Sequence, residues 1–180
     1  MNVSYLIKQK SYEKVKFIAR RHIFTFFIQI LLFVILGAMP FGLYLMIRSL
    51  FPTLLSAQPI YALGVLLGSI YYLSVLLFFF TSFVDFYLDV WIVTNDRIID
   101  IEQFGLFSRT ISELELFRIQ DITTNVHGIF PTIFKYGDVI VQTASTNVGV
   151  VFRSVKNPDK IRESLLELAH EDYKYHRGQM

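Results

Sequence analysis

Two long stretches without a charged side chain constrain the fold of this chain more than any other feature. They run from Ile23 to Ile47 and from Ile60 to Val84, each 25 residues long. A helix rises about 1.5 Å per residue, and about 20 apolar residues span the hydrocarbon core of a bilayer. A buried soluble helix has a similar composition, but a chain of 180 residues has too little polar mass to bury two of them. The sequence therefore predicts a transmembrane helical hairpin over residues 23–84.

The segment before the hairpin, residues 1–22, is basic and amphipathic. Two interpretations remain open for it: an interfacial segment whose cations contact anionic lipid headgroups, or a solvated basic leader. The candidate lipid-contacting cations are Lys8, Lys10, Lys14, Lys16, Arg20 and Arg21. The stretch between the apolar runs, 48–59, holds only Arg48. The positive-inside rule therefore predicts that the N-terminus and everything after Val84 lie in the cytoplasm, in a multi-pass protein of the cell membrane.

Composition and processing signals narrow the class of protein further. Hydrophobic residues make up 53% and charged residues 18% of the chain, more apolar than an ordinary soluble domain. A net charge of +2 gives no indication of nucleic-acid binding. The chain has no cysteine, so disulfides and thiolate metal sites are excluded. The first apolar stretch is longer than that of a signal peptide and lacks a small-residue cleavage pattern, so we expect it to be retained.

The pattern after Val84 changes to alternating apolar and polar residues with turn dipeptides, which is typical of short antiparallel strands. Asn157 and Pro158 then form an N-terminal helix signal, followed by an apolar stripe that includes Leu165 and Leu168. We expect an antiparallel β-sandwich or barrel capped by a C-terminal helix over residues 85–172, with a tail at 173–180. The predicted strands are 89–94, 97–103, 108–112, 117–126, 139–143 and 148–153.

The order of these segments resembles the bacterial pleckstrin-homology-like domain family, the second bacterial PH class, formerly a domain of unknown function. The motifs that carry the resemblance are Thr94–Arg97, Gly105 with Arg109, Phe117–Ile122, Phe134–Asp138 and Asn157-Pro158. It covers 86–168, and the preceding hairpin and the Arg20-Arg21-His22 sequence fit as well. The resemblance implies a PH-like β-sandwich closed by a C-terminal helix and implies little about biochemical role. The 144–147 link is longer than the turn expected there.

No enzyme motif is present in the sequence. There is no GxSxG, no phosphate-binding glycine loop and no HExxH. Glu167, His170 and Glu171 share one face of the predicted C-terminal helix, and a solvated helix face explains them better than a metal site does. Asp85 and Asp89 flank the end of the hairpin, where a structural ion pair with Arg20 or Arg21 is expected. The sequence predicts a non-enzymatic protein without cofactor or metal.

The sequence contains two candidate binding sites. In the PH domains of eukaryotes the first hairpin loop binds phosphoinositides through basic residues, and here Thr94–Arg97, taken as that loop, offers one cation and one anion. Scattered surface cations (Lys135, Arg153, Lys156 and Lys160) form at most a basic rim. The second site is an apolar segment that packs into the barrel, dips into the membrane or contacts a partner. Its residues are Ile129, Phe130, Pro131, Ile133 and Phe134.

The leading functional prediction is a membrane-anchored PH-like interaction or assembly module, with membrane lipid and a protein partner or a second copy as its contacts. The alternative is sensing of anionic lipid headgroups by the basic N-terminal segment and the rim of the domain. A membrane enzyme is the third hypothesis, and only Glu167, His170 and Glu171 support it. Gly64 and Gly68 form a GxxxG motif that predicts close helix packing, within the hairpin or between copies.

Overall fold

The computed structural model describes residue 10 and residues 12–51, 58–143 and 149–177. It divides into two compact units: a helical unit at 23–86, and a β-rich unit formed by 1–22 together with 87–180. The polypeptide therefore leaves the β-rich unit, forms the helical unit and returns. Lys8 and the 144–147 link lie outside the described residues.

The helical unit consists of two long helices, α1 (Ile23–Leu50) and α2 (Gln58–Leu88). Both are long and apolar enough to cross a membrane. No residue of the most apolar stretch of either helix is buried in the structure. The helices contact each other through aromatic side chains, including Phe26 on Phe86 with ring centroids 4.8 Å apart. The Tyr71 hydroxyl also donates to the Leu36 carbonyl at 2.9 Å. These contacts define an antiparallel helical hairpin, as the two apolar stretches predicted.

The small residues of the hairpin do not bring its two helices together. A Cβ added at Gly42, Gly64 or Gly68 would have no described atom of another element within 4 Å. The expectation that the GxxxG motif brings the two helices into close contact is therefore wrong. Gly64 and Gly68 instead line a cavity of about 650 Å³ between α1 and α2.

The β-rich unit is a sandwich of two antiparallel sheets. The first sheet has the order β1-β2-β3-β4 and the second has the order β5-β6-β7. The strands are β1 (Val15–Arg20), β2 (Val90–Thr94), β3 (Arg97–Phe104), β4 (Ser108–Glu115), β5 (Ile119–Asn125), β6 (Tyr136–Thr143) and β7 (Val150–Lys156). A 3-10 turn (Leu116–Arg118) precedes β5, a short helix α3 (Ile129–Phe134) precedes β6, and α4 (Pro158–Arg177) follows β7. This arrangement confirms the predicted sandwich with its C-terminal helix.

The core of the sandwich lies between the sheets and beneath α4. Trp91 of β2 packs on Phe152 of β7, with ring centroids 5.6 Å apart, and both side chains are fully buried. Leu165 and Leu168 of α4 belong to the same cluster, as the apolar stripe of that helix predicted. Burial of large apolar side chains of this kind stabilises a fold by about 1.5–3 kcal/mol each.

The N-terminal segment differs most from its expectation. Residues 15–20 are a strand of the sandwich and not a separate segment ahead of it, because they form β1, which pairs with β2 from Arg20↔Val90 to Val15↔Thr94. The PH-like unit thus begins before the hairpin, and the hairpin is inserted between β1 and β2. Thr94–Arg97 is therefore the β2–β3 turn, and the expectation that it is the first hairpin loop of the domain is wrong.

Two smaller differences concern the C-terminal part of the chain. Residues 129–134 form a helix where a loop between strands was expected. The C-terminal helix continues to Arg177, so the predicted boundary of a frayed tail at residue 173 is wrong. Asp172 in this last part is buried, which shows that the helix still packs against the unit there.

Candidate functional site

Both covalent connections to the helical hairpin emerge at the same end of the sandwich. β1 ends at Arg20, which pairs with Val90 at the start of β2. Arg21 then forms an isolated bridge to Val155 of β7, and α1 begins at Ile23. We call this end of the sandwich the hairpin end and the opposite end, which carries the β2–β3 turn, the far end.

A buried ion pair joins the two connections at the hairpin end. Arg21 Nη2 lies 2.5 Å from Asp89 Oδ2, and the Asp89 side chain is 2% exposed. Its other oxygen, Oδ1, accepts a hydrogen bond of 2.8 Å from the Gln103 backbone N–H. This is the structural pairing that the sequence analysis expected for Asp89. The residues on either side of the inserted hairpin are therefore fixed to each other and to β3.

Further charged side chains surround this ion pair on the inner side of the first sheet. Arg153 of β7 contacts Glu102 of β3 at 3.2 Å and so links the two sheets. Asp100, two residues before Glu102 on β3, is 8% exposed. Burial, followed by the charges of Glu102 and Asp89, raises the pKa of Asp100 to about 7, and Arg153 and Arg21 oppose this rise. Sequence reasoning missed Asp100 because its alternation with Ile99 and Ile101 is also that of a solvent-facing residue.

Apolar side chains project from two places at the hairpin end. The first is the β3–β4 turn, where Phe104 is 53% and Phe107 is 99% exposed. The second is α3, whose four large apolar side chains are between 43% and 76% exposed: Ile129, Phe130, Ile133 and Phe134. Pro131 between them is partly buried. Packing of residues 129–134 into the barrel, one of the three alternatives for this segment, is therefore contradicted by the structure.

The position of α3 at the hairpin end follows from strand register. Asn125 at the end of β5 pairs with Asp138 of β6, and Tyr136 at the start of β6 pairs with Lys156 at the end of β7. The His22 ring stacks on the Tyr136 ring with centroids 5.1 Å apart. Burial, and then the charge of Lys156, lowers the pKa of His22. The start of β6 thus lies beside the residue that precedes α1.

The cations at the far end are bound to carboxylates of the same unit. Arg97 donates from Nε and Nη2 to the two oxygens of Glu13, both at 2.9 Å, and from Nη1 to Glu113 at 2.6 Å. The hydrogen bond to Glu13 raises the pKa of Arg97. Burial alone would raise the pKa of Glu13, but hydrogen bonds, led by that from Arg97, lower it. Lys10 lies 2.6 Å from Asp96, and this contact raises the pKa of Lys10.

A cleft of about 700 Å³ lies beside these ion pairs, between the end of β4 and the start of β5. Its charged lining includes Lys10, Arg97 and Arg118, together with Glu113 and Glu115. Arg118 contacts Glu115 at 2.7 Å. An anionic ligand in this cleft would have to displace carboxylates from each of these cations. The cleft is therefore a poor phosphate site, in agreement with what the Thr94–Arg97 composition predicted.

The remaining N-terminal cations lie in β1 or directly before it. Lys14, Lys16 and Arg20 are exposed, and Arg20 lies over the Tyr87 ring at 5.7 Å. Of the six candidate lipid-contacting residues, the structure thus places Lys10 and Arg21 in ion pairs with Asp96 and Asp89.

One edge of the sandwich is open. β4 pairs only with β3 in the described part of the chain, and residues 108–113 are all exposed. The edge of β5 differs, because Arg162 of α4 donates to the Ile122 carbonyl at 2.9 Å and Thr124 donates to Asp159 at 3.1 Å. An unpaired strand edge is a template for adding another strand.

Within the described residues, no group of three or more His, Asp or Glu side chains is arranged to hold a metal ion. Glu167, His170 and Glu171 belong to α4, where Glu167 and Glu171 are exposed. Among the residues that the structure describes, no further metal-ligating side chain joins them. His22 directly precedes α1 and His127 lies between β5 and α3, and neither belongs to a metal-binding group in that part of the chain.

Two antiparallel sheets, with four and three strands and a C-terminal helix across the core, define a domain of the pleckstrin-homology type. A family model described as bacterial PH domain matches residues 25–169, and the chain therefore belongs to the bacterial PH domain family. A solved structure of a DUF1696 family protein with a pleckstrin-homology domain, from Shewanella loihica, is similar at 15% sequence identity. That similarity covers 47% of this chain and 70% of the other, with a TM-score of 0.35. Comparison with the curated proteins gives no match.

Proposed function

We propose that this protein is a non-enzymatic, membrane-anchored interaction module whose PH-like domain binds an extended segment of a partner protein at the cytoplasmic face of the cell membrane. The observation that carries this proposal is the open edge of β4 on a domain that holds an apolar helical hairpin between its first two strands.

The hairpin supports membrane anchoring through its length and its surface. At about 1.5 Å per residue, the 28 residues of α1 and the 31 residues of α2 extend over about 42 and 46 Å. Both lengths exceed the roughly 30 Å of a hydrocarbon core. None of the residues of either helix is buried, so the apolar surface needs a covering that a bilayer supplies.

The β4 edge supports binding of an extended peptide segment. Strand addition satisfies unpaired backbone groups and gives specificity through alternate side chains. The side chains on one face of β4 are Arg109, Ile111 and Glu113, opposite Gln103, Ile101 and Ile99 of β3. Read from its own N-terminus, an antiparallel strand on this edge would place a basic residue opposite Glu113, an apolar residue opposite Ile111 and an acidic residue opposite Arg109. The expected recognition pattern is therefore basic–x–apolar–x–acidic.

A second copy of the chain fits this edge less well. Antiparallel pairing of two β4 strands relates the two copies by a two-fold axis perpendicular to the strands. β4 begins at the hairpin end and finishes at the far end, so such pairing would place the two hairpin ends on opposite sides of the dimer. Two copies anchored in one membrane need their hairpin ends on the same side. We therefore assign the edge to a different protein.

Binding of a designed peptide tests the interaction surface. The probe is a fluorescent peptide containing Lys-Thr-Ile-Thr-Glu, titrated against the full chain in nanodiscs. The matched control peptide contains Glu-Thr-Ile-Thr-Lys, and we expect it to bind several-fold more weakly because like charges oppose each other across the strands. Ile111→Lys should weaken binding of both peptides, because it opposes the central isoleucine that they share, whereas Leu166→Lys, which changes an exposed residue of α4, should leave their binding unchanged. Equal binding of both peptides contradicts the proposal.

Anchoring and orientation are tested by labelling, because the chain has no cysteine of its own. We expect single cysteines at Ser112 and Gln58 to react with a membrane-impermeant maleimide from opposite sides of the membrane. Ser112, an exposed residue of β4 away from the hairpin end, should react only in inside-out vesicles. Reaction of both positions from one side, or release of the protein by alkaline carbonate, would contradict membrane crossing.

The mass of the detergent-solubilised protein tests assembly with a second copy. Light scattering is compared for the native chain and for a variant in which Ile129, Phe130 and Phe134 are changed to Ser. On the present proposal, both forms have the same mass. A native oligomer that the triple change dissolves would assign residues 129–134 to a protein contact instead of the β4 edge.

Anionic-lipid sensing is a second candidate, and the exposed cations of β1 favour it. Lys14, Lys16 and Arg20 are exposed along β1, with Lys14 at the far end of the sandwich and Arg20 at the hairpin end. On this hypothesis, vesicles with anionic lipid should protect these residues from amine- or guanidine-directed labelling, and salt should remove the protection. Equal labelling in neutral and anionic vesicles would exclude it.

A further inference from the structure

The hairpin end of the sandwich carries two apolar projections from different sheets. The β3–β4 turn presents Phe104 and Phe107, and α3 presents Ile129, Phe130, Ile133 and Phe134. Phe107 is 99% exposed, which is unusual for a phenylalanine on a surface in contact with water. The backbone builds both projections: Gly105 takes φ 64 in the turn, and Gly128 with φ 109 and Lys135 with φ 53 bound α3.

Both projections lie at the end from which the chain passes into the helices. Val90 pairs with Ile101, so β3 runs toward this end and its turn extends beyond the start of β2. The ring stack of His22 on Tyr136 places the C-terminal boundary of α3 beside the last residue before α1. An apolar surface is therefore concentrated where the polypeptide enters and leaves the hairpin.

Cations accompany the apolar side chains. Lys135 follows α3 directly, and Lys156 pairs with Tyr136 at the start of β6; both are exposed. The nearby carboxylates are engaged within the unit, since Asp89 binds Arg21 and Asp138 accepts from the Ser154 backbone N–H at 2.6 Å. Apolar side chains flanked by lysines match the boundary between acyl chains and anionic headgroups.

We propose that the hairpin end docks on the bilayer, with Phe104, Phe107 and the apolar side chains of α3 inserted into the interfacial layer and Lys135 and Lys156 at the headgroups. This inference rests on the proposed membrane anchoring and adds an orientation to it. Docking would hold β4 along the membrane normal, since that strand begins at the hairpin end. The open edge of β4 would then face sideways, parallel to the membrane surface, toward neighbouring proteins.

The test measures the depth of spin labels on single cysteines in the otherwise cysteine-free full chain. Labels replace Phe107, Ile133 and Phe117 in vesicles made of equal parts phosphatidylcholine and phosphatidylglycerol. Phe117 is the matched control, because it is also an exposed phenylalanine next to β4 but lies at the far end of that strand. Eight residues of strand separate the two positions by roughly 26 Å. A label at Leu66 in α2 reports the hairpin itself.

We expect the labels at 107 and 133 to be relaxed more strongly by oxygen than by a water-soluble nickel chelate, and the label at 117 to show the reverse. Membrane docking is overturned if the label at 107 or at 133 is as accessible to the chelate as the label at 117 while the label at 66 lies in lipid. If the label at 66 is accessible to the chelate, the anchoring proposed above fails, and the inference fails with it. A double variant, Lys135→Glu with Lys156→Glu, tests the role of the two lysines. If they hold the docked state, the labels at 107 and 133 become accessible to the chelate in this variant. Unchanged accessibility of these labels would contradict that role.

Discussion

Arg21 and Asp89 form an ion pair at 2.5 Å that joins the strand leading into the helical hairpin to the residue directly after it. The pair lies inside the β-rich unit, and Asp89 is almost fully buried. A chain that leaves a domain and returns to it needs its two connections held together, and this pair does so with one contact.

Removal of this ion pair should destabilise the sandwich strongly. Asp89→Ala leaves the Arg21 guanidinium and the Gln103 N–H without their acceptor, so we expect a loss of about 2–4 kcal/mol. Denaturant unfolding of the full chain in detergent measures it through the fluorescence of Trp91, which is the sole tryptophan of the sequence and fully buried. Arg118→Ala, which breaks an exposed pair with Glu115, is the control and should cost less than about 1 kcal/mol. Equal effects of the two substitutions would show that the junction does not depend on this pair.

The free energy of unfolding of the domain should fall as pH rises from about 4 to about 7, because Asp100 stays protonated in the folded state over this range. Its pKa is raised from 3.8 to about 7 in the folded state, mainly by burial. Within this interval the unfolded carboxyl ionises while the folded one stays protonated, so each step up in pH favours unfolding. The effect is fully lost above pH 7 and amounts to about 4 kcal/mol at most.

Comparison with Asp100→Asn isolates this effect from other titrating groups, including His22. The free energy of unfolding of the variant, minus that of the native chain, should increase between pH 4 and pH 7 and then stay constant. A difference that does not vary with pH would mean that Asp100 is ionised throughout this range.

Arg97 should not tolerate lysine. Its guanidinium donates two parallel hydrogen bonds to Glu13, whose side chain is fully buried, and an ammonium cannot reproduce both. We expect Arg97→Lys to cost about 2–3 kcal/mol in unfolding free energy. Glu113→Gln weakens only the contact of Arg97 with a half-exposed carboxylate and should cost less than about 1 kcal/mol. A larger loss in the glutamine variant would reverse the assigned importance of the two partners.

Gly137 should resist substitution because of a close backbone approach between β5 and β6. A Cβ at this position would lie 2.6 Å from the Asn125 carbonyl oxygen and 2.8 Å from Val126 Cγ2. Gly137→Ala should therefore cost about 1–3 kcal/mol through displacement of β5. Gly149→Ala meets the Val141 carbonyl at 3.0 Å and should have a smaller effect. Denaturant unfolding, followed as above by Trp91 fluorescence, ranks the two variants. A larger loss in Gly149→Ala than in Gly137→Ala would contradict the close approach at Gly137.

The sequence predicted the elements that have a strong local signal. The charge-free runs indicated both helices of the hairpin, and the Asn157-Pro158 signal with its apolar stripe indicated α4. Six of the seven strands follow from alternation and turn residues, because those strands pair with neighbours close in sequence. The family resemblance then supplied their arrangement.

β1 was missed for a physical reason. Its alternation of Val15, Phe17 and Ala19 with Lys16 and Arg20 is that of a strand, but also that of a basic segment on a membrane surface. Pairing with β2 decides between these two interpretations, but β2 follows the hairpin in the sequence. The residues of β1 alone do not show that such a distant strand is its partner. The charges of the candidate sites were obscured in the same way, since Lys10, Arg21 and Arg97 are neutralised by carboxylates distant in sequence.

The insertion of the hairpin between β1 and β2 also determines when the first sheet can form during synthesis of the chain. β1 leaves the ribosome first and has no strand to pair with until α1, α2 and then β2 have been made. Closing so long a loop before any sheet contact forms is entropically costly unless the two helices have already paired and brought its ends together. Completion of the first sheet therefore depends on the hairpin: a chain whose helices have failed to pair leaves β1 without its partner strand.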